Sequence, residues 1–367
     1  MAGAGPVGVG LIGAGVISTT YLENLNVFPD TRVLAGGDLI PEAAKARAAA
    51  HLVPAAGGVE AVLDHPGIEI VVNLTIPAAH AEVAEQAIAA GKHVWNEKPL
   101  TLDRTRGQAL LVAAETAGVR IGCAPDTFLG SGLQAVNRVI ADGAIGNPLT
   151  ALFLMQQPGP DRWHPNPGFL FQAGGGPLFD IGPYYLTALV QIFGPVNSVA
   201  AVGSTARERR VIETGPKAGE EFDVTVPSQT AALVRFRSGQ SLTLLLSFDS
   251  AVPRILLEVT GSEATLQLPD PNTFGGDVQV HRWGGEEWET LAETTARSSR
   301  GIGVLDLARA IRENRPHRAT GRLAYHVLDV MSAIAESASS AAFVSVQSTV
   351  EPAEPLPIDW DPLAATV

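Results

Sequence analysis

The sequence predicts an α/β protein: a doubly wound parallel sheet in its N-terminal part, followed by a C-terminal part dominated by strands. Three observations carry this. Short apolar segments alternate with helix-compatible ones from Val7 to Cys123, the pattern of a parallel sheet covered on both faces. A glycine-rich turn, Gly13-Ala14-Gly15, joins the first apolar segment to the first helical one. From Val196 onward, alternating or wholly apolar runs are separated by turn residues such as Ser238-Gly239, which reads as successive strands. With 367 residues and 46% hydrophobic content, the chain can fill two cores.

Val7 to Ile12 reads as a short buried strand, and Val16 to about Leu25 as a helix. In the turn between them the first glycine, Gly13, permits the tight bend, and Gly15 lets the backbone approach a pyrophosphate. The third position, Ser18, needs only a small residue for helix–strand packing. Phosphates would sit on the N–H groups at the helix start, where Val16 and Ile17 lie. Arg32 to Ala35 is a second strand. Asp38 follows it at the spacing of the acidic residue that grips an adenosine ribose. A carboxylate there accepts hydrogen bonds from ribose hydroxyls and repels a 2′-phosphate, and the next residues, Leu39 and Ile40, offer no cation. NAD is therefore expected, with NADP disfavoured; the plain alternative is a turn aspartate.

Pro41 to Ala50 is an alanine-rich helix, and Val59 to Leu63 another short one. Ile68 to Leu74 is a mostly apolar strand that ends at Thr75-Ile76-Pro77. His80, near the start of the next helical pattern (Ala78 to Ala90), either approaches the cofactor or lies on the helix surface. Lys92 to Trp95 is a short strand that delivers Asn96-Glu97-Lys98-Pro99. The carboxyl ends of strands in an open parallel sheet are where ligands bind. An ammonium near its ordinary pKa of ~10.4 is a poor base at neutral pH. Burial or a cationic neighbour, such as an oxidised nicotinamide ring, lowers that value. Lys98 is thus a candidate acid/base; an isolated Glu-Lys-Pro would read first as a surface lysine at a strand end, and it is the rest of the chain that favours the functional reading.

Several functions are excluded. The net charge is −13 and no basic stripe appears, so phosphate neutralisation on a nucleic acid has no basis. The single cysteine, Cys123, rules out an internal disulfide framework and a zinc site built from several cysteines,; no metal site is expected. The start, Met1 to Pro6, lacks the basic residues of an export signal. No apolar run reaches the ~18 residues of a membrane span. A cytoplasmic protein is expected, and the glycosylation sequon at Asn73-Leu74-Thr75 is read as chance.

Gly13-Ala14-Gly15, Asp38, Thr75-Ile76-Pro77, His80, Ala90 to Val94 and Glu97-Lys98-Pro99 together resemble the glucose–fructose oxidoreductase / inositol dehydrogenase / rhizopine-catabolism (Gfo/Idh/MocA) family. Gly143-Ala144-Ile145-Gly146 and the run Gly174 to Tyr184 extend the likeness in order along most of the chain. The resemblance implies an N-terminal Rossmann domain, placed at residues 1–124. It implies a substrate-binding and oligomerisation domain at 125–367 with a large open, mainly antiparallel sheet. It further implies a hydroxyl of a sugar or cyclitol as substrate, Lys98 beside the nicotinamide with Glu97 also at the cofactor, a cis Lys98–Pro99 bond, and a homodimer or homotetramer formed through the sheet.

In the second domain, Asn137 to Asp142 closes a helix at Gly143, and Asn147 to Gln157 is a strand. A helix beginning near Pro177 places Asp180 and Tyr184 one turn apart on one face. A carboxylate and a phenol so placed can bind a diol and relay its proton; the bland alternative is a capping aspartate and a packed tyrosine. The family's commoner form has histidine where Tyr184 stands, and many members carry an arginine near Thr127. The second departure removes a cation from the edge of a pocket that would include Asp126, and favours a neutral polyol or sugar. Trp163 and His164, in a proline-rich loop, are further candidates for substrate binding. Arg207 to Asp223 reads as an exposed excursion between strands. The expected function is hydride transfer by Lys98, Asp180 and Tyr184 with NAD. The alternatives are NAD-assisted glycoside cleavage and, further off, a non-catalytic NAD or sugar sensor.

Overall fold

The computed structural model describes residues 5–367. By compactness the chain forms two units. The first comprises the residues up to Gly130 with Ala296–Tyr325 and Ala353–Val367; the second comprises Ser131–Thr295 with His326–Pro352.

The first unit holds six parallel strands: β1 (Val7–Ile12), β2 (Thr31–Gly37), β3 (Ala55–Gly57), β4 (Ile70–Asn73), β5 (His93–Asn96) and β6 (Ile121–Cys123). Their order is β3-β2-β1-β4-β5-β6, so the chain reverses direction across the sheet between β1 and β4, the place where such sheets open a ligand crevice. Helices α1 (Val16–Leu25), α2 (Pro41–Ala50), α3 (Glu60–Leu63), α4 (His80–Ala89) and α5 (Arg104–Ala117) connect the strands. The parallel strands are buried on both faces: every residue of β1 and β4 is buried, and Ile12, Val71, Val94 and Leu110 share one core cluster. β3 escapes a sequence reading because Ala55-Ala56-Gly57 has no β-branched or aromatic residue.

A helix over Ile302–Glu313 and the C-terminal tail also pack in this unit, although the sequence reading groups them with the second domain. The reason is chemical as well as apolar. Arg309 Nε lies 2.7 Å from Asp30 Oδ2, with both side chains buried. The same guanidinium donates to the carbonyls of Asp361 and Ala364 and stacks on Trp360. Burial works against the charge on Asp30, but hydrogen bonds from Thr366 and Arg309 hold its carboxyl below the usual range.

In the second unit, α6 (Ser131–Ala141) leads to β7 (Pro148–Gln156), then α7 (Gly176–Asp180) and α8 (Gly182–Phe193). The strands β8 (Val196–Ser204), β9 (Arg209–Val211), β10 (Glu221–Asp223), β11 (Gln229–Phe236), β12 (Ser241–Ser247), β13 (Arg254–Gly261), β14 (Ala264–Gln267), β15 (Val278–Arg282) and β16 (Glu289–Ala292) follow. In chain order the Ile302–Glu313 helix is α9; α10 (Gly321–Ser340) and β17 (Val344–Ser345) complete the chain. Nine strands form one sheet, β16-β15-β14-β13-β7-β12-β11-β8-β17, in which only the β7–β12 pair is parallel. One face of this mainly antiparallel sheet buries Phe153, Leu244, Val234 and Val199. The other presents rows such as Leu256–Leu154–Leu245–Ala231–Val202, set by the strand register.

The expected single helix carrying Asp180 and Tyr184 is interrupted at Ile181. Pro183 has no N–H to offer the Phe179 carbonyl, so the helical ladder loses a rung there. The excursion Arg207–Asp223 is mostly exposed, as expected, but it is ordered as a β9–β10 hairpin in which Arg210 and Ile212 are buried.

Candidate active site

In the first unit a cleft of about 800 Å³ lies over the carboxyl ends of the strands, walled by Gly13, Gly15, Asp38, Leu39, Thr75, Ile76, Glu60 and Glu82 among others. Gly13 has φ +107°, and a Cβ there would come within 2.7 Å of the Leu74 backbone, so only glycine makes this turn. Gly15 has open space around it. It begins α1 with no side-chain cap and no acidic residue in the first turn, which leaves that helix start able to receive an anion. Asp38 is fixed at both oxygens: Oδ2 accepts the Ala14 N–H at 2.7 Å and Oδ1 the Ile40 N–H at 2.9 Å. Each oxygen keeps a second lone pair for a ribose hydroxyl. Arg47, which the sequence reading passed over, donates to the Ala14 carbonyl from behind the turn. Val16, Ile17, Pro77, His80, Glu97 and Lys98 are not among the cleft's walls, whereas Glu60 and Glu82 are walls that no motif announced.

The Glu97-Lys98-Pro99 turn leaves β5 with a cis Lys98–Pro99 bond. A buried amide ladder stands behind it. Asn73 Nδ2 donates to Asn96 Oδ1 at 2.9 Å, Asn96 Nδ2 to the Leu100 carbonyl at 3.2 Å, and the Glu97 N–H to the Asn73 carbonyl at 2.9 Å. Glu97 Oε2 accepts the N–H of Lys98 at 2.9 Å, and Oε1 accepts the Tyr21 hydroxyl at 2.9 Å. Lys98 itself is half-buried.

Two expected site residues turn out differently. His80 is neither on a helix surface nor open to a ligand: it is fully buried, with Nδ1 2.7 Å from the Pro99 carbonyl and Nε2 3.0 Å from the Thr75 carbonyl. Burial lowers its pKa, and because both ring nitrogens face carbonyl oxygens, the neutral ring with its one N–H donates to only one of them. Asp126, expected at the edge of a substrate pocket, is inaccessible as well. Its Oδ2 accepts the N–H groups of Gly301 and Gly303 at 2.9 and 3.0 Å, at the start of α9. Its Oδ1 is buried with no hydrogen-bond partner among the described residues. Burial pushes this carboxyl up to about 6, with the Gly303 N–H and the charge of Arg300 acting the other way. A polar residue beside a proline reads as loop surface in a sequence; nothing in the spacing shows that α9 will cover it.

In the second unit, Asp180 ends α7 half-buried and Tyr184 lies buried in the first turns of α8. His164 feels the Asp180 carboxylate, which works against the burial that lowers its pKa. His164 also meets Trp163 and Phe169 edge-on at 5.6 and 5.5 Å, while Trp163 is largely exposed. The loop that carries both is anchored by Arg210, bonded to Asp161 and Asp249 and to the Pro158 and Phe248 carbonyls. Tyr185, by contrast, packs in the core against Phe153 and hydrogen-bonds Asp270.

Residues 7–124 match the family model described as an oxidoreductase family with an NAD-binding Rossmann fold, and residues 133–267 match that of the GFO/IDH/MocA C-terminal domain. The chain belongs to the Gfo/Idh/MocA oxidoreductases. It is 30% identical over 328 residues to dTDP-3,4-didehydro-2,6-dideoxy-alpha-D-glucose 3-reductase of Streptomyces antibioticus, a match covering 88% of this chain and 92% of that protein. It is 32% identical over 139 residues to inositol 2-dehydrogenase of Rhizobium meliloti, covering 37% and 41%. Among solved structures, an NAD-binding oxidoreductase from Klebsiella pneumoniae superposes with a TM-score of 0.81 at 25% identity, covering 94% of this chain and all of the other. A levoglucosan dehydrogenase in complex with NADH and L-sorbose shares the fold, with a TM-score of 0.80 at 22% identity over 93% and 99% of the two chains. A Gfo/Idh/MocA member with this first unit is an NAD-binding enzyme, and the cleft fits the cofactor: a bare helix start for the pyrophosphate and a prepositioned carboxylate for the ribose. Among the described residues no helix is long and apolar enough to cross a membrane.

Proposed function

We propose that this Gfo/Idh/MocA enzyme interconverts a secondary hydroxyl and a ketone on a neutral sugar, sugar derivative or cyclitol, with NAD as its cofactor. The observation that carries the reading is the Glu97-Lys98-Pro99 turn, held rigidly at the carboxyl end of β5 by buried hydrogen bonds in a chain of this family. Bound NAD supplies the hydride acceptor; the residues supply position and proton handling. Lys98 takes the hydroxyl proton, and Asp180 orients the substrate and balances the charge of the protonated lysine. Tyr184 polarises the hydroxyl oxygen, since a phenol is a weak base at neutral pH. Trp163 and His164 offer an aromatic surface for a sugar ring. Gly13, Gly15, Val16, Ile17, Asp38, Leu39, Thr75 and Pro77 serve the cofactor. Glu60 and Glu82 add negative charge to a cleft with no Lys or Arg among its walls, which supports NAD over NADP.

The relatives point to the substrate class: one reduces a dTDP-linked keto sugar and another oxidises inositol. A panel of cyclitols, free sugars, anhydrosugars, glycosides and dTDP-sugars, scored for NADH formation or consumption, tests the reading. Turnover of a polyol or keto sugar is expected. Aglycone release with no net NADH points instead to glycoside cleavage, and NAD binding with no turnover to a sensor. The open sheet face, with Leu152, Leu233 and Val202 exposed, is proposed to receive a second copy of the chain. Light scattering of a Leu233→Lys variant, expected to shift toward monomer, tests that separately.

A further inference from the structure

Tyr21 of α1 belongs to neither the glycine turn nor the cleft wall, yet it is fully buried and its hydroxyl is held from two sides. Trp95 Nε1–H donates to it at 3.1 Å, and it donates to Glu97 Oε1 at 2.9 Å. With the indole occupying a lone pair, the phenol's one proton is directed at Glu97. The other carboxylate oxygen of Glu97 accepts the N–H of Lys98 at 2.9 Å. Glu97 is thus a bridge, one oxygen fixed by the phenol and the other fixing the backbone of the lysine. The indole has no room to withdraw. Its ring occupies the space beside Gly303, where a Cβ would lie 2.0 Å from it.

Other ionisable groups face this bridge. Asp126 and Glu97 act on Tyr21, the charge of Glu97 reaches His80 and Cys123, and Arg300 acts on Asp126. Burial first, then the two carboxylates, keeps the phenol protonated well above its ordinary range. It is a permanent donor.

We propose that Tyr21 is a positioning residue for the reaction: through Glu97 it holds the Lys98 turn in place without touching substrate or cofactor. Its catalytic consequence rests on the reading of Lys98 as the base; its hold on the turn does not. The test begins with amide hydrogen exchange in the cofactor-free full chain. Tyr21→Phe keeps the ring and removes the donor, so exchange at the Lys98 amide is expected to quicken about tenfold. NADH affinity, read by fluorescence titration, stays within about twofold. With the panel substrate that turns over fastest, kcat falls about tenfold at unchanged KM. A Tyr21→Phe/Glu97→Ala double variant should be no slower than Glu97→Ala alone, because Tyr21 acts only through Glu97. Parental exchange at Lys98, or a double variant slower than Glu97→Ala, overturns the proposal.

Should Tyr21→Phe not fold, Glu97→Gln serves: one amide oxygen cannot accept from both the phenol and the Lys98 N–H. Parental exchange at Lys98 in that variant would again overturn it. The two readings fail separately. Turnover retained in Lys98→Met sinks the base assignment alone, while an inactive Lys98→Met beside a Tyr21→Phe variant that exchanges and turns over like the parent sinks only the positioning role.

Discussion

Asp38 Oδ2 accepts the Ala14 N–H at 2.7 Å, so the acidic residue at the end of β2 and the glycine turn at the end of β1 form one hydrogen-bonded unit. Replacing Asp38 with Ser should therefore act on two features at once. NADH binding is expected to weaken about tenfold, the cost of a hydrogen bond to a charged group. NADPH binding should weaken less or improve, because a repelling carboxylate is gone. Fluorescence titration of both nucleotides checks the ratio; equal losses for the two would show that Asp38 does not discriminate.

Two glycines separate folding from cofactor binding. A Cβ added to Gly15 would have nothing within 4 Å, whereas one on Gly303 would meet the Trp95 ring at 2.0 Å. Gly303→Ala should lose about 1–3 kcal/mol of stability by overpacking, visible as a lower Tm. Gly15→Ala should melt like the parent and bind NADH at least about tenfold more weakly, since its methyl stands where the pyrophosphate approaches.

The buried carboxyl of Asp126 gives a pH signature. Its pKa in the fold, about 6, stands above the ordinary 3.8, so the folded protein holds this proton more tightly than the unfolded chain does. The contribution to stability is full below about pH 4, is lost as pH rises through 6, and is constant beyond. At about 1.4 kcal/mol per unit the swing is about 3 kcal/mol. Asp126→Asn cannot titrate. Urea unfolding from pH 4 to 7.5 should show the parent losing stability relative to this variant as pH rises; the opposite slope would mean that the ionised form is the one favoured in the fold.

Arg210 lies between Asp161 and Asp249 with its side chain 2% exposed. Arg210→Met leaves two carboxylates without their cation, and a loss of about 3–5 kcal/mol follows from such half-removed pairs. Because the loop to Trp163 and His164 starts at Asp161, KM for the panel substrate should rise more than kcat falls. Stability within about 1 kcal/mol of the parent would show the network to be dispensable.

Most of the first unit was legible because parallel strands write themselves as apolar runs and the glycine turn has one steric solution. Val7–Ile12, Pro41–Ala50 and Asp38 at a strand end all appear where the periodicity places them. What escaped depended on contacts distant in sequence. Asp126 reads as a loop carboxylate until α9, far along the chain, supplies the N–H groups of Gly301 and Gly303. His80 reads as a helix start until Pro99 and Thr75 close on its ring. Arg210 sits in a charged, glycine-containing stretch that looks solvated, and only the placement of Asp161 and Asp249 shows it to be buried. Tyr21, one apolar position in a helix, carries no local sign of the hydrogen bond it gives to Glu97.

In the proposed reaction Lys98 is the group that moves the proton, and Lys98→Met tests this most directly. NADH affinity by fluorescence titration should stay within about threefold of the parent, while NADH formation with the panel substrate falls by about a thousandfold or more, the range of a lost general base. Turnover within about tenfold of the parent, little more than one hydrogen bond's worth of barrier, would contradict it.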